Sequence, residues 1–246
     1  ISSGLAASTT QTGGQPAPYG VNLIVHPSNK TLEQELDLCA AYRVPIIITS
    51  LGAVPQIVDR VHAYGGIVFH DVVNRRHAEK ASDAGVAGLI AVSTGAGGHT
   101  GLANPFALIA EIRRFFNGTL LLAGSLSSGL DIAAAQIIGA DLAYMGTRFL
   151  ATRECASDAA YKAMIHESQL ADITTTAAVS GITANFLQPS LDRAGISADG
   201  PALLPVRSMS MPIWPMRSPR QQTSQNLGVT YGRLAMVLAA LITAPR

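Results

Sequence analysis

Six short apolar runs, each followed by a helix-like stretch, recur along this chain, and that rhythm leaves it few folds to choose from. The runs are residues 21–25, 45–50, 66–71, 88–93, 119–124 and 142–146. They return about every 20 to 30 residues, the length of one strand-plus-helix unit. An apolar run without strict alternation suits a strand covered on both faces. Strand, helix, strand, helix, with no hairpin spacing between them, gives a parallel sheet.

The intervening stretches carry helix punctuation. Thr31 with Gln34 reads as a capping box ahead of Leu32, Leu36 and Cys39. Asn104-Pro105 is a cap and a first-turn proline, opening a helix over 106–116 that Gly118 ends. Gly65, Gly85 and Gly139 stand where helix C-termini are expected. The fold class read from this is α/β, of the TIM (βα)8 parallel-barrel type. Six units are visible, so the first one or two are missing from this chain; an open doubly wound sheet fits the same count. The expected organisation is a flexible segment over 1–19, a barrel core over 20–152 and a C-terminal extension over 153–246. In that extension 154–170 reads as helical, 189–226 as irregular, and a closing helix starts near Tyr231.

Charged residues are 13% of the chain against 48% hydrophobic, and the formal net charge is +1. That balance supplies no bulk field for nucleic acid or an acidic membrane. No apolar stretch reaches the roughly 18 residues of a membrane span, the best being 234–244. Cys39 and Cys155 lie far apart with no metal spacing, so a reducing, cytoplasmic setting is expected. Residues 1–18 lack the basic start and apolar centre of a signal peptide, and the chain does not begin with Met. It is expected to begin inside a longer protein.

Ligands of parallel α/β folds bind at the C-terminal ends of the strands. His26, Ser50, His70, Asp71 and Ser93 fall at such ends and are expected to share one face. Gly124-Ser125 and Gly146-Thr147 close the last two visible strands. Loops after the last two strands of a barrel often bind phosphate, and two such junctions could offer several free N–H groups to one anion. His99, in the glycine-rich loop GAGGHTG, adds a group that titrates near neutral pH. His26 and His70 read as structural, and Asn22 as bonded either to a neighbouring loop or to a ligand. His62, His77 and His166 read as helix-surface residues, Arg113, Arg114 and Arg148 as solvated or salt-bridged, and Met145 as core. A metal site of His26, His70, Asp71 and His99 has suitable ligand types but no His-x-His or His-x-x-x-His pair.

Six stretches together resemble one family: GVNLIVH (20–26), VPIIITSLG (44–52), GGIVFHDVVNRRHAEKA (65–81), AGGHTG (96–101), AGSLSSG (123–129) and YMGTRFLAT (144–152). They are similar to the nitronate monooxygenases, formerly 2-nitropropane dioxygenases, over about residues 20–191. The combination of AGGH, a small-residue loop and MGTRF is shared mainly with the flavin-dependent enoyl-ACP reductases. The resemblance implies an FMN-dependent TIM barrel that oxidises alkyl nitronates or nitroalkanes with O₂ to a carbonyl compound and nitrite.

It also implies roles for matched positions. Gly124, Ser125, Gly146 and Thr147 would hold the FMN phosphate, with Met145 beside them. Asn22 would approach the flavin from an early strand. Ala96, Gly97 and Gly98 would pass close to the cofactor, and His99 would stand over its ring as the base that takes the substrate's α-proton. No metal is implied, and a homodimer is compatible with the resemblance. Three departures stand out: the family's first two strands are absent, Ser125 replaces a frequent glycine, and the segment around Trp214 matches poorly. The alternatives are a flavin-dependent enoyl-ACP or quinone reductase, or a non-catalytic barrel that binds a phosphate ligand.

Overall fold

A computed structural model describes residues 18–27 and 29–203. The expected closing helix near Tyr231 and the Trp214 segment lie outside the described residues.

The chain opens with β1 (Gly20–Ile24), α1 (Leu32–Ala41), β2 (Ile46–Ser50), α2 (Pro55–Ala63), β3 (Ile67–Val72), α3 (Arg75–Asp83) and β4 (Gly88–Val92). A two-residue β5 (Gly98–His99) follows, then α4 (Pro105–Arg113), β6 (Thr119–Ala123), α5 (Gly129–Ile137), β7 (Leu142–Tyr144) and the short α6 (Thr147–Leu150). Beyond these come α7 (Ala159–Glu167), β8 (Ile173–Thr176), β9 (Ala184–Leu187) and α8 (Gln188–Arg193).

The main sheet has six strands in the order β1-β2-β3-β4-β6-β7, all paired in parallel. Strand order follows chain order and never reverses. A doubly wound sheet reverses at a switch point, so the arrangement is that of a barrel arc. The expected parallel units are all present. The helices pack on one face of this arc, where Leu23, Ile47, Val68, Leu89 and Leu120 meet Ile57, Val61, Leu108, Ile109 and Ile112. The inner face carries a second cluster of Ile48, Phe69, Ile90, Val92, Leu121 and Ala123. Successive strand residues point to opposite faces, which sorts every polar residue on a strand to one side or the other.

Local chemistry explains most boundaries. Pro105 starts α4, and the Asn104 Oδ1 accepts from the Phe106 N–H at 2.9 Å. Gly65, Gly85 and Gly139 follow helix ends with positive φ, as expected. The Thr31–Gln34 box does not form. Instead Asn29 Oδ1 accepts from the Thr31 N–H at 3.1 Å, and the Thr31 hydroxyl donates to Glu35 at 3.0 Å. A capping box forms at Ser128 and Asp131, at the start of α5. The helix expected over 154–170 is shorter, and the segment expected to be irregular from residue 189 starts inside α8.

The absent hairpin signal concealed a second sheet. β5, β9 and β8 form a three-stranded antiparallel sheet, with Gly98 opposite Asn185 and His99 opposite Ala184. His99 is therefore held on a strand, not in a free loop.

Candidate functional site

Three strand-end junctions converge. The loop after β4 meets the loop after β6 where the Ser125 N–H donates to the Gly95 carbonyl at 2.9 Å. A Cβ placed on Gly95 would lie 1.6 Å from Ser125 Oγ, so only glycine fits there. The same loop meets the start of α6, where a Cβ on Gly97 would lie 2.5 Å from Thr147 Oγ1. Gly124 has φ +115° and packs against Ser93 Oγ and the Ala96 N–H, a position closed to any side chain. Ser125 itself takes φ +57°, a left-handed backbone uncommon outside glycine.

The supply of free N–H groups is smaller than the sequence suggests. Ser125 spends its N–H on Gly95, and Ser127 and Ser128 donate theirs to Asp131 at 2.9 and 2.8 Å. An anion at the β6 junction would therefore find these three N–H groups already committed. Gly146 and Thr147 begin α6, and space is open beside Gly146. A cavity of about 350 Å³ opens next to Thr147, lined also by Ser127, Arg148, His166 and Gln169. Met145 is half-buried between Tyr144 and this junction.

His99 is positioned from both sides. Its strand partner Ala184 is fully buried, and the neighbouring Asn185 amide donates to the carbonyls of Thr94 and Ala96 at 2.9 and 2.8 Å. Thr100 adds a bond from its hydroxyl to the Ser93 carbonyl at 2.8 Å. Burial lowers the His99 pKa below the usual imidazole value, which favours the neutral ring. Sequence reasoning missed Asn185, because its role depends on its pairing with Gly98, far away along the chain.

The other polar strand ends do not share one face. His70 points into the helix layer, 5% exposed, with Nδ1 2.7 Å from Thr49 Oγ1. Desolvation first, then the charges of His77 and Lys80, lowers its pKa to about 4. Its neighbour Asp71 points to the inner face, as Ser50 and Asn22 do. The Asn22 amide donates to Ser50 Oγ at 3.2 Å, and Ser50 Oγ donates to Asp71 Oδ2 at 2.6 Å. Asn22 thus bonds a neighbouring strand, where a neighbouring loop or a ligand was expected. With His70 and Asp71 on opposite faces, the four-residue metal set cannot assemble. Ser93 is fully buried and donates to the Ala123 carbonyl at 2.9 Å, which makes it part of the junction's frame. Arg113 pairs with Asp141 at 2.6 Å at the opposite end of the sheet, a staple between strand starts.

Comparison with known proteins agrees with this fold. The family model described as nitronate monooxygenase matches residues 8–194. A nitronate monooxygenase of Paraburkholderia phytofirmans is 31% identical over 137 residues, which is 52% of this chain and 37% of that protein. A 5-hydroxy-7a-methyl-1-oxo-octahydro-1H-indene-4-carboxyl-CoA dehydrogenase of Rhodococcus jostii is 27% identical over 174 residues, 71% of this chain and 49% of that protein. Among solved structures, FabK from Thermotoga maritima superposes with a TM-score of 0.67 at 28% identity, covering 77% of this chain and 60% of that one. The chain thus spans half or less of the length of these two curated relatives.

Proposed function

The chain belongs to the nitronate monooxygenase family, and from that premise we propose that it binds FMN at the converging junctions and oxidises alkyl nitronates or nitroalkanes with O₂. The observation that carries this reading is the meeting of Gly95 with Ser125 and of Gly97 with Thr147, beside the strand that holds His99. Small residues let a charged group approach the backbone, and the hydroxyls of Ser125 and Thr147 with the start of α6 suit a phosphate. The cofactor, when bound, supplies a two-electron acceptor that can pass its electrons on to O₂.

The chain's own residues would do the rest. Gly97 and Gly98 leave room for a flat ring against the backbone. Neutral His99 accepts the α-proton of a nitroalkane; with a nitronate already formed, it orients the substrate and balances its charge. Asn185 keeps that imidazole in place by tying the loop that leads to it. The likeness to FabK favours one second reading, a reductase that uses the same cofactor site with a reduced nicotinamide donor.

Two substitutions separate binding from chemistry. Gly146→Val places its side chain in open space, so it should leave the fold intact and abolish flavin retention. His99→Ala should keep the yellow colour and slow neutral nitroalkanes far more than nitronates. The checks are the visible absorption of the protein purified with FMN and oxygen uptake with each substrate. Anaerobic bleaching of the flavin by NADH, with no oxygen uptake on nitronates, would move the assignment to the reductase. A protein that never takes up FMN would end both readings.

A further inference from the structure

The mechanism above leaves one half-buried acid unused. Asp71 is the last inward-facing residue of β3, at the end of the sheet where the converging junctions lie. One of its oxygens is committed: Oδ2 accepts from Ser50 Oγ at 2.6 Å, and Ser50 is in turn held by the Asn22 amide at 3.2 Å. The other oxygen, Oδ1, is enclosed and has no hydrogen-bond partner. A bare carboxylate oxygen in such a place costs free energy that an O–H group aimed at an acceptor does not.

Among the described residues, no cationic side chain pairs with it. From β1 and β2 the facing groups are Asn22 and Ser50, and β4 contributes Ile90 and Val92. The titratable group that faces Asp71 is Tyr144 on β7, whose pKa is pushed up by its own burial and then by Asp71. His70, the next residue back, faces the helices. Desolvation raises the Asp71 pKa to about 6, partly offset by the Ser50 bond. Ser50 as donor fixes Oδ2 as the acceptor end, which leaves Oδ1 as the place for a proton.

We propose that Asp71 is a proton-bearing contact residue, presenting an O–H from Oδ1 to a neutral hydrogen-bond acceptor, a ring carbonyl or imine nitrogen, of the heterocycle bound at the mouth of the sheet. The identity of that heterocycle as a flavin rests on the function proposed above; the proton itself does not. Asn22 and Ser50 act through Asp71 as positioning residues. Their chain of donors runs toward Oδ2 and holds the acid in one orientation.

Two measurements test this. The first uses the protein without added cofactor. Infrared difference spectra across pH 4 to 8 should show a protonated carboxyl stretch that persists well above the range of an exposed aspartate and is missing in Asp71→Asn. The second titrates FMN against wild type, Asp71→Asn and Asp71→Ala at pH 5 and pH 8, with Ser50→Ala as a further variant. The ratio of wild-type to Asp71→Asn affinity removes the ionisation of the FMN phosphate itself. That ratio should fall about tenfold between the two pH values, the equivalent of about one hydrogen bond lost. Asp71→Ala should bind weakly at both. Ser50→Ala should shift the carboxyl titration without abolishing binding. A ratio that does not change with pH, or a carboxyl that titrates like an exposed one, overturns the proposal. If no variant takes up FMN at either pH, the flavin contact falls together with the function, and the infrared signal alone decides whether Asp71 carries the proton.

Discussion

The two sheets of this molecule are built on opposite terms. The parallel arc buries both faces: in β4 every residue is buried, and Ile90, Leu89 and Ala91 expose nothing. The small antiparallel sheet buries little besides Ala184 and Thr176, and Ile173 at its edge is 45% exposed. The first is held by apolar area, the second by polar bonds such as Thr174 to Gln188 and Asn185 to the β4 loop. Stability lives in the arc, while the imidazole best placed for chemistry is carried by the other sheet. A stiff scaffold with the proposed base on a lightly packed strand lets that strand adjust to a ligand without disturbing the core.

The largest effect should come from the core of the arc. Ile90→Ala removes a fully buried side chain between two packed strands and should cost about 2–5 kcal/mol of global stability. Phe186→Ala, on half-buried β9, should cost about 1 kcal/mol and leave the denaturant midpoint of the arc almost unmoved. Chemical denaturation followed by far-ultraviolet circular dichroism reads both. Equal losses would mean that the two sheets fold as one body and would break the comparison.

The same contrast explains what could be read from residues alone. The runs ending at Ser50, Ser93 and Gly124 are apolar enough to announce buried parallel strands, and their order along the chain becomes their order in the sheet. The three junctions that meet at the candidate site were legible for the same reason, since position and small-residue content coincide. β8 and β9 were not legible. ITTT and ANFL are short, partly polar and far from their partner β5, and no local pattern marks a pairing of such range. The period-2 alternation that separates His70 from Asp71 was in the sequence. It is applied safely only once the two faces are known, because a strand covered on both sides has no polar face to mark the register.

An intermediate effect concerns that pair. The folded pKa of His70 lies at about 4, below its ordinary 6.5, so its stability contribution is present above pH 6.5 and is lost as pH falls toward 4. The folded pKa of Asp71 lies at about 6, above its ordinary 3.8, so its contribution is present below pH 3.8 and is lost as pH rises through 6. Each amounts to about 3 kcal/mol, with opposite sign over nearly the same window. In the wild type they should almost cancel. Asp71→Asn should unmask a rise in stability from pH 4 to 6.5, and His70→Gln a fall from pH 4 to 6. Thermal unfolding across that range checks it; parallel profiles for the two variants would show that neither group titrates as its burial requires.

The most local effect bears most directly on function. Asn185→Ala removes the two bonds to the Thr94 and Ala96 carbonyls that fasten β9 to the loop after β4, and the bond that its Oδ1 accepts from the Thr175 hydroxyl on β8. Each is worth about 1 kcal/mol, so global stability should drop by no more than about 3 kcal/mol. The loss should be local, because the arc does not depend on Asn185. Hydrogen exchange should speed up for Gly98, His99 and Thr100 while β4 and β6 stay protected. If His99 acts as the base, proton removal from a neutral nitroalkane should slow more than oxidation of a nitronate, since only the first step needs the imidazole in register. A variant with unchanged exchange at His99 would show that the small sheet is held by β8 and the buried Ala184, and the division of labour between the two sheets would have to be redrawn around that contact.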